Sequence, residues 1–498
     1  MLTTGANFTA LLKISALLLL GYVFTKIVYN VFLHPLRSYP GPLLARATLL
    51  VYQREIMKGY SHIWFQDLHK KYGPVVRCSP NILSFLEPEV WKDVYGYKSP
   101  SFAKDVYHFY GPDPHGEPPG LLRADDISHA RQRKLISNAF SDKALKEQEQ
   151  LLKGYVQTLV ERLTDIARGK DGGKTDIIEW YNFTTFDIMA DLTFGEDLGQ
   201  LRNSSYSPWV TALFGFVKFV AIGRIGRDWP GLTRLLGLLV PAEIRAQGET
   251  HLNFAAEKVD KRMARKTDRP DIWTYVMKGS DTEGKGLAPS ELYSNGQVFM
   301  LGGTETTATL LSGLTYLLLK NPEKLKRLTQ EVRNAFKSFN DMTMTRISQL
   351  EYLQACIDEG LRLYPPVAGS VPRIAPECGA KVCGRWVPSG TTVQNPIYAA
   401  SRSPTNFKNP DTFAPERFLQ EGATEYGSDK RDASSPFSYG PRNCVGKNLA
   451  YHEMRLILAS LLLQFNIELC PEVGNWLHQK NFILWEKQPL LIKLSLAH

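Results

Sequence analysis

Cysteine is scarce in this sequence. Six are spread over 498 residues (Cys78, Cys356, Cys378, Cys383, Cys444 and Cys470), too thinly for a disulfide framework. Cys378 and Cys383 lie close together, but no second pair and no histidine set completes a zinc site. Five of the six read as free thiols of a reducing compartment. Long blocks of Lys and Arg are missing too, although the net charge is +9. That absence, with no RNA-binding motif, argues against nucleic acid as a partner. It leaves a basic solvated face, a membrane surface or an acidic protein partner. The length is generous for one average domain and by itself suggests two to four.

What is present begins at the N-terminus. From Phe8 to Leu33 the chain is apolar, and its core from Ile14 to Phe24 carries no charge. About 20 mainly apolar residues cross a bilayer, so Lys13 or Lys26 must snorkel to an interface. No small-residue cleavage site follows, which favours an uncleaved anchor over a signal peptide. Lys26 and Arg37 after the run place the body on the cytosolic side. Tyr39-Pro40-Gly41-Pro42 then bars helix continuation. The expected division is an anchor over 1–33, a proline-rich hinge over 34–45 and one body over 46–498.

Near the other end stands Phe437-Ser438-Tyr439-Gly440-Pro441-Arg442-Asn443-Cys444-Val445-Gly446, followed at once by an apolar helical pattern. A cysteine before a helix start meets unpaired N–H groups and the positive end of the helix dipole, which favour a thiolate. Gly440 suits a turn of positive φ, and Gly446 lets backbone approach a flat object. Arg442 supplies a fixed positive charge. Together these describe a haem cradle with a sulfur axial ligand.

A long helix is expected from an N-cap at Ser290 to Lys320, with Asn321-Pro322 as its stop. In its middle lie Gly302 and Gly303, costing about 1 kcal/mol each against alanine. They make room for a flat cofactor or a small gas. Glu305 and Thr306 follow, a carboxylate and a hydroxyl able to relay protons. Upstream, Ser128 to Lys134 opens a basic helix with His129 and Arg133 on one face. The loop over 100–124, rich in Pro, Gly and aromatics, reads as a pocket lid. The apolar stretch 205–250 reads as a roof and 265–290 as a polar connecting loop. Glu359 and Arg362, three apart on a helix, form a natural ion pair, and Phe413 to Phe418 supplies Arg417.

Four of these runs match F-x-x-G-x-R-x-C-x-G, [AG]-G-x-[DE]-T-[TS], E-x-x-R and P-E-R-F, in that family's order along the chain. The sequence resembles the cytochrome P-450 family from the hinge to the C-terminus. Its style is similar to microsomal enzymes of fungal secondary metabolism. The resemblance implies a mainly α fold with a small β region, one haem-centred unit, and haem b on Cys444. It implies that Arg133, Arg373 and Arg442 meet the haem carboxylates, with His129 standing where the family has tryptophan. Phe437, Gly440 and Gly446 would shape the cysteine loop. Glu359, Arg362 and Arg417 would brace it as structural residues, and Glu305 and Thr306 would be catalytic. Pro366 to Pro372 would line the pocket, and the tail near Phe482 would reach it.

The implied reaction inserts one oxygen atom from dioxygen into a lipophilic molecule, such as a terpenoid or polyketide-type intermediate. No flavin domain follows Cys444, so electrons are expected from a separate NADPH-dependent reductase, with cytochrome b5 as a further donor. Arg131, Lys134, Lys430, Arg431 and Lys447 offer a basic docking face. The expected location is the endoplasmic reticulum membrane, single-pass, with the body cytosolic. Two other readings fit the cysteine motif: a haem-thiolate isomerase or dehydratase, and a non-enzymatic membrane-anchored haem or lipid carrier.

Overall fold

Apolar spacing, caps and breakers set the helices of the computed structural model. The structure describes residues 2–98, 100–170, 172–207, 209–211, 223–229, 231, 242–267, 269–283, 286–369 and 371–497. The principal helices are α1 (Leu2–Val28), α2 (Asp126–Ser137), α3 (Asp142–Arg168), α4 (Ile177–Phe194), α5 (Ala242–Ala264), α6 (Ile272–Glu283), α7 (Pro289–Leu319), α8 (Pro322–Ala335), α9 (Glu351–Leu363) and α10 (Lys447–Gln464). Of the expected roof, Phe214, Phe216 and Phe219 lie outside the described residues, as does Ser370 of the expected lining.

Helix α7 crosses the body and packs along α4, whose residues are almost all buried. Two expectations are corrected. The N-cap of α7 is Ala288, not Ser290: Glu291 reaches back to the Ala288 N–H at 2.8 Å, while the Ser290 hydroxyl donates to Pro118. The 265–290 stretch is not all loop, because α6 occupies 272–283. Asp271 caps it by accepting from the Thr274 N–H at 2.9 Å, and Ile272, Trp273 and Val276 bury one face. The polar residues of that stretch concealed this short apolar stripe.

The strands are β1 (Val75–Ser79), β2 (Ile82–Phe85), β3 (Ala103–Lys104), β4 (Lys174–Asp176), β5 (Arg373–Ile374), β6 (Ala380–Val382), β7 (Arg385–Val387), β8 (Thr392–Gln394), β9 (Phe465–Leu469), β10 (Asn481–Phe482), β11 (Leu484–Trp485) and β12 (Leu491–Leu496). The largest sheet has the order β1-β2-β8-β5-β3, so β3 brings the 100–124 segment to its edge. β1 and β2 pair antiparallel as a hairpin.

The N-terminal apolar span covers Ala10–Leu33, is exposed from Ala10 to Ile27 with Val31 buried near its end, and is compatible with a membrane anchor. The segment after it is tied to the body. Leu36 is fully buried, the Pro40 carbonyl accepts from the Arg77 N–H at 2.7 Å, and the Tyr39 hydroxyl donates to Trp386. The last residues of the expected hinge already begin a helix, Leu43–Ala47.

Beneath the core, Glu359 of α9 gathers three segments. Arg362 donates to both of its oxygens at 2.7 Å, Arg417 donates at 3.2 Å, and the Ala414 N–H at 2.8 Å. Arg362 also holds the carbonyls of Ser401, Pro410 and Thr412. Asp429 completes the arrangement at 2.6 Å from Arg417. Removing one member of a buried charge network strands the others and costs about 3–5 kcal/mol. Glu359→Gln should therefore lower unfolding stability by about that amount in denaturant titration. Arg327→Ala, which breaks an exposed pair with Glu421, should change it by less than about 1 kcal/mol.

Candidate functional site

The middle of α7, the start of α10 and the loop before it enclose a hollow of about 380 Å³. Its walls are mainly apolar, with Phe299, Leu310, Val367 and Val371 among them. Cys444 opens into it. The residue is exposed to this hollow rather than to bulk water, for protein surrounds it on the other sides. Burial raises its thiol above the usual range, opposed by the Gly446 N–H and by the charges of Arg133 and Lys447. The cap environment therefore favours the thiolate as expected but does not by itself overcome burial. A metal cation at the sulfur would.

The loop that presents Cys444 is closely fitted. Gly440 has φ +73°, and a Cβ there would overlap the carbonyl oxygen of Tyr95. The Cys444 N–H donates to the Phe437 carbonyl at 2.9 Å, closing the loop. The Phe437 ring lies against Tyr451 of α10. At Gly446 a Cβ would come no nearer than 3.9 Å to Phe140, so this glycine leaves clearance on the hollow side.

Cations collect at one end. Arg442 donates to Asp126 and to the Ala124 carbonyl, while its Nη1 is buried without a partner. Arg373 is buried against the Tyr95 ring. Arg133 donates to the Asn443 backbone and side-chain oxygens at 2.6 and 2.7 Å, joining α2 to the cysteine loop. His129 is buried beside them, and burial with the charges of Arg442, Lys104 and Arg133 lowers its pKa to about 3. It is a neutral ring at ordinary pH, able to donate one hydrogen bond. All four line the hollow.

Helix α7 runs through its glycines without a break. Gly303 is where Met189 of α4 packs, and a Cβ would come within 2.5 Å of its sulfur. Gly302 has nothing within 4 Å and opens into the hollow. Thr306 lines the hollow, its hydroxyl donating to the Gly302 carbonyl at 2.6 Å. Glu305 does not join it there. It is buried on another face of the helix, paired with Lys487 and accepting from Thr309 at 3.2 Å. The expected acid–alcohol pair is thus divided between two faces.

The structure adds residues that the sequence reading missed. Lys104 and Tyr110 of the lid line the hollow. Glu453 of α10 does too, fully enclosed and hydrogen-bonded by Thr307, and burial pushes its carboxyl up to about 8. Its signal was legible: an acid placed in the apolar stripe with Leu449, Ala450 and Met454. Phe482 and Ile483 line a smaller neighbouring hollow, which shares Val367 with the main one.

A sulfur facing an apolar hollow, glycine clearance on two sides and cations at one edge suit a flat, anionic, thiolate-ligated cofactor. That is the donor set of a haem-thiolate protein. The sequence model of the family described as Cytochrome P450 matches residues 39–494. The monooxygenase efuB of Hormonema carpetanum is 44% identical over 482 residues, covering 96% of this chain and 95% of that protein. The monooxygenase FUM2 of Gibberella moniliformis is 45% identical over 475 residues, 94% of this chain and 100% of that protein. An averantin hydroxylase of Dothistroma septosporum is 42% identical over 497 residues, 98% of this chain and 91% of that protein.

The chain belongs to the cytochrome P450 family. It is a haem monooxygenase related to enzymes of fungal secondary metabolism, using haem b with electrons from NADPH through a reductase.

The two adjacent glycines separate by experiment. Gly303→Ala should cost about 1–3 kcal/mol in unfolding, since Met189 must shift. Gly302→Ala should leave stability equal or up to about 1 kcal/mol higher. Its effect should appear in substrate-induced spin-state titrations, as weaker binding of bulky ligands.

Proposed function

We propose that Cys444 is the axial ligand of the haem iron, and that Arg133, Arg373, Arg442 and His129 hold the haem carboxylates. Phe437, Gly440 and Gly446 shape the loop beneath the ring. Glu359, Arg362 and Arg417 brace that loop through the 401–429 segment. The observation that carries this reading is that Cys444 lines one apolar hollow together with Gly302 and Thr306. Haem seated there supplies dioxygen activation for oxygen insertion, the thiolate favouring O–O cleavage.

The protein's own part is to exclude water, orient the substrate and move protons. Phe299, Leu310, Val367 and Val371 select a lipophilic molecule. A terpenoid or polyketide-type intermediate suits these walls and the names of the relatives, one of which is a hydroxylase of averantin. Thr306 Oγ1 exchanges protons with water in the hollow. Glu305 resupplies it and must release Lys487 to turn toward it. The division of the chain is an anchor over 1–33, a connecting segment over 34–45 and the enzyme over 46–498. This suits a single-pass protein of the endoplasmic reticulum membrane with a cytosolic body.

The reductase docks by charge on the side of the cysteine loop, with cytochrome b5 as a further donor there. Lys134, Lys430, Arg431 and Lys447 form the docking set; Arg131 contributes less, being paired with Glu291.

Three measurements test this reading. Cys444→Ser should abolish the red-shifted carbon-monoxide band of the reduced protein, and an unchanged band would refute the ligand assignment. Thr306→Ala should keep that band yet divert NADPH consumption to peroxide, lowering product per NADPH about tenfold or more. Charge reversal at Lys134 and Lys447 together should slow reduction and flatten its salt dependence. Stopped-flow reduction identical to wild type at low salt would reject the docking face.

A further inference from the structure

The smaller hollow beside the main one has a volume of about 50 Å³. A water takes about 30 Å³ in the liquid, so the space suits one small group rather than a ring system. It shares Val367 with the main hollow, and Phe65, Phe109 and Phe482 make its walls mainly apolar. Three hydrogen-bond donors line it as well: Tyr52, Arg224 and Asn481.

Each of the three lacks something. Arg224 lies 4.9 Å over the Phe109 ring and donates to the Tyr52 hydroxyl at 3.3 Å. Among the described residues no carboxylate pairs with it; Asp228, four residues on, accepts from Gln53 at 2.8 Å instead. Tyr52 accepts the Arg224 bond, and among the described residues nothing accepts its own proton. Burial pushes this phenol above the usual range, opposed by the Arg224 charge, so the proton stays on at ordinary pH. Asn481 is buried on β10 with its backbone N–H fixed on Gly59 at 2.7 Å, yet its Nδ2 has no partner. A buried polar atom left unpaired calls for an explanation. The turn that follows is strained: Ile483, also on this hollow, has φ +80°, where β-branched residues are rare. Such strain gathers at ligand sites.

A neutral carbonyl would serve Tyr52 and Asn481 and leave Arg224 without a counter-charge. A carboxylate has lone pairs for all three and the charge that Arg224 lacks. We propose that the smaller hollow is a subsite for an ionised carboxyl group of the substrate, held by Arg224, Tyr52 and Asn481, while the apolar body passes Val367 into the main hollow. The substrate class is then a lipophilic carboxylic acid, oxidised at a carbon remote from its carboxyl group. Few polar groups among apolar walls fix a ligand's orientation in this way. The proposal rests on the haem-monooxygenase reading above.

The test uses spin-state titrations of the holoenzyme at neutral pH with matched acids and methyl esters: dodecanoic, para-hexylbenzoic and abietic. At least one acid should bind wild type about tenfold tighter than its ester, as for a hydrogen bond to a charged group. Arg224→Gln should erase that preference and leave ester binding unchanged, and Arg224→Lys should retain most of it. Asn481→Asp sets a second carboxylate in the subsite and should reverse the preference. The carbon-monoxide band of each variant checks that fold and haem are intact. A wild type that prefers no acid over its ester by more than roughly twofold would overturn the proposal. So would a preference that survives in either R224Q or N481D. Both results leave the monooxygenase reading standing; a wild type lacking the sulfur-ligated carbon-monoxide band would remove that reading instead.

Discussion

The carboxylate of Glu359 is the point on which the lower half of the protein closes. A buried carboxylate is tolerated only when its charge and lone pairs are met. Here two arginines and a backbone N–H meet them. Arg362 then spends its remaining donors on carbonyls of the 401–412 segment, which has little regular structure of its own, and Arg417 adds the Asn409 carbonyl and the Asp429 carboxylate. A segment without helix or sheet ladders must satisfy its backbone in some other way. The arginine forks do so.

The upper edge of the hollow poses the opposite problem. There the protein concentrates positive charge and provides little of the other sign. The Glu359 network is complete within the protein, whereas around Lys104, Arg373 and Arg442 the carboxylate is Asp126, which Arg442 engages. The two sets of ionic groups differ in how far the protein itself supplies the counter-charge. His129 supports the distinction. Where a further cation would add repulsion, the chain has a ring that burial and neighbouring charges hold neutral.

Much of this was legible in the sequence because short-range geometry carried it. The cysteine loop, the Glu359–Arg362 pair and the glycines of α7 are local patterns whose members act on one another within a turn or two. The fold class and family followed from these motifs in order. Legibility ended where partners came from distant segments. Lys104 gains meaning only when β3 is laid against β5, some 270 residues later in sequence. Asp429 and Lys487 sit in polar stretches that could face water as readily as a buried partner. Helix α6 was missed for another reason: its apolar stripe spans one turn and is outvoted by polar neighbours in any long window.

Glu305 shows the same limit at the shortest range. Successive residues of an α-helix point about 100° apart, so an adjacent acid and alcohol need not face one wall. With Gly302, Gly303, Thr306 and Leu310 on the hollow, Glu305 falls toward the flank, where Thr309 follows it one turn on. The carboxylate is buried there and needs a counter-charge. Lys487, from the segment between β11 and β12, provides it. Glu305 is thereby tied to a tail segment whose neighbouring hairpin, β10–β11, lines the smaller hollow beside it.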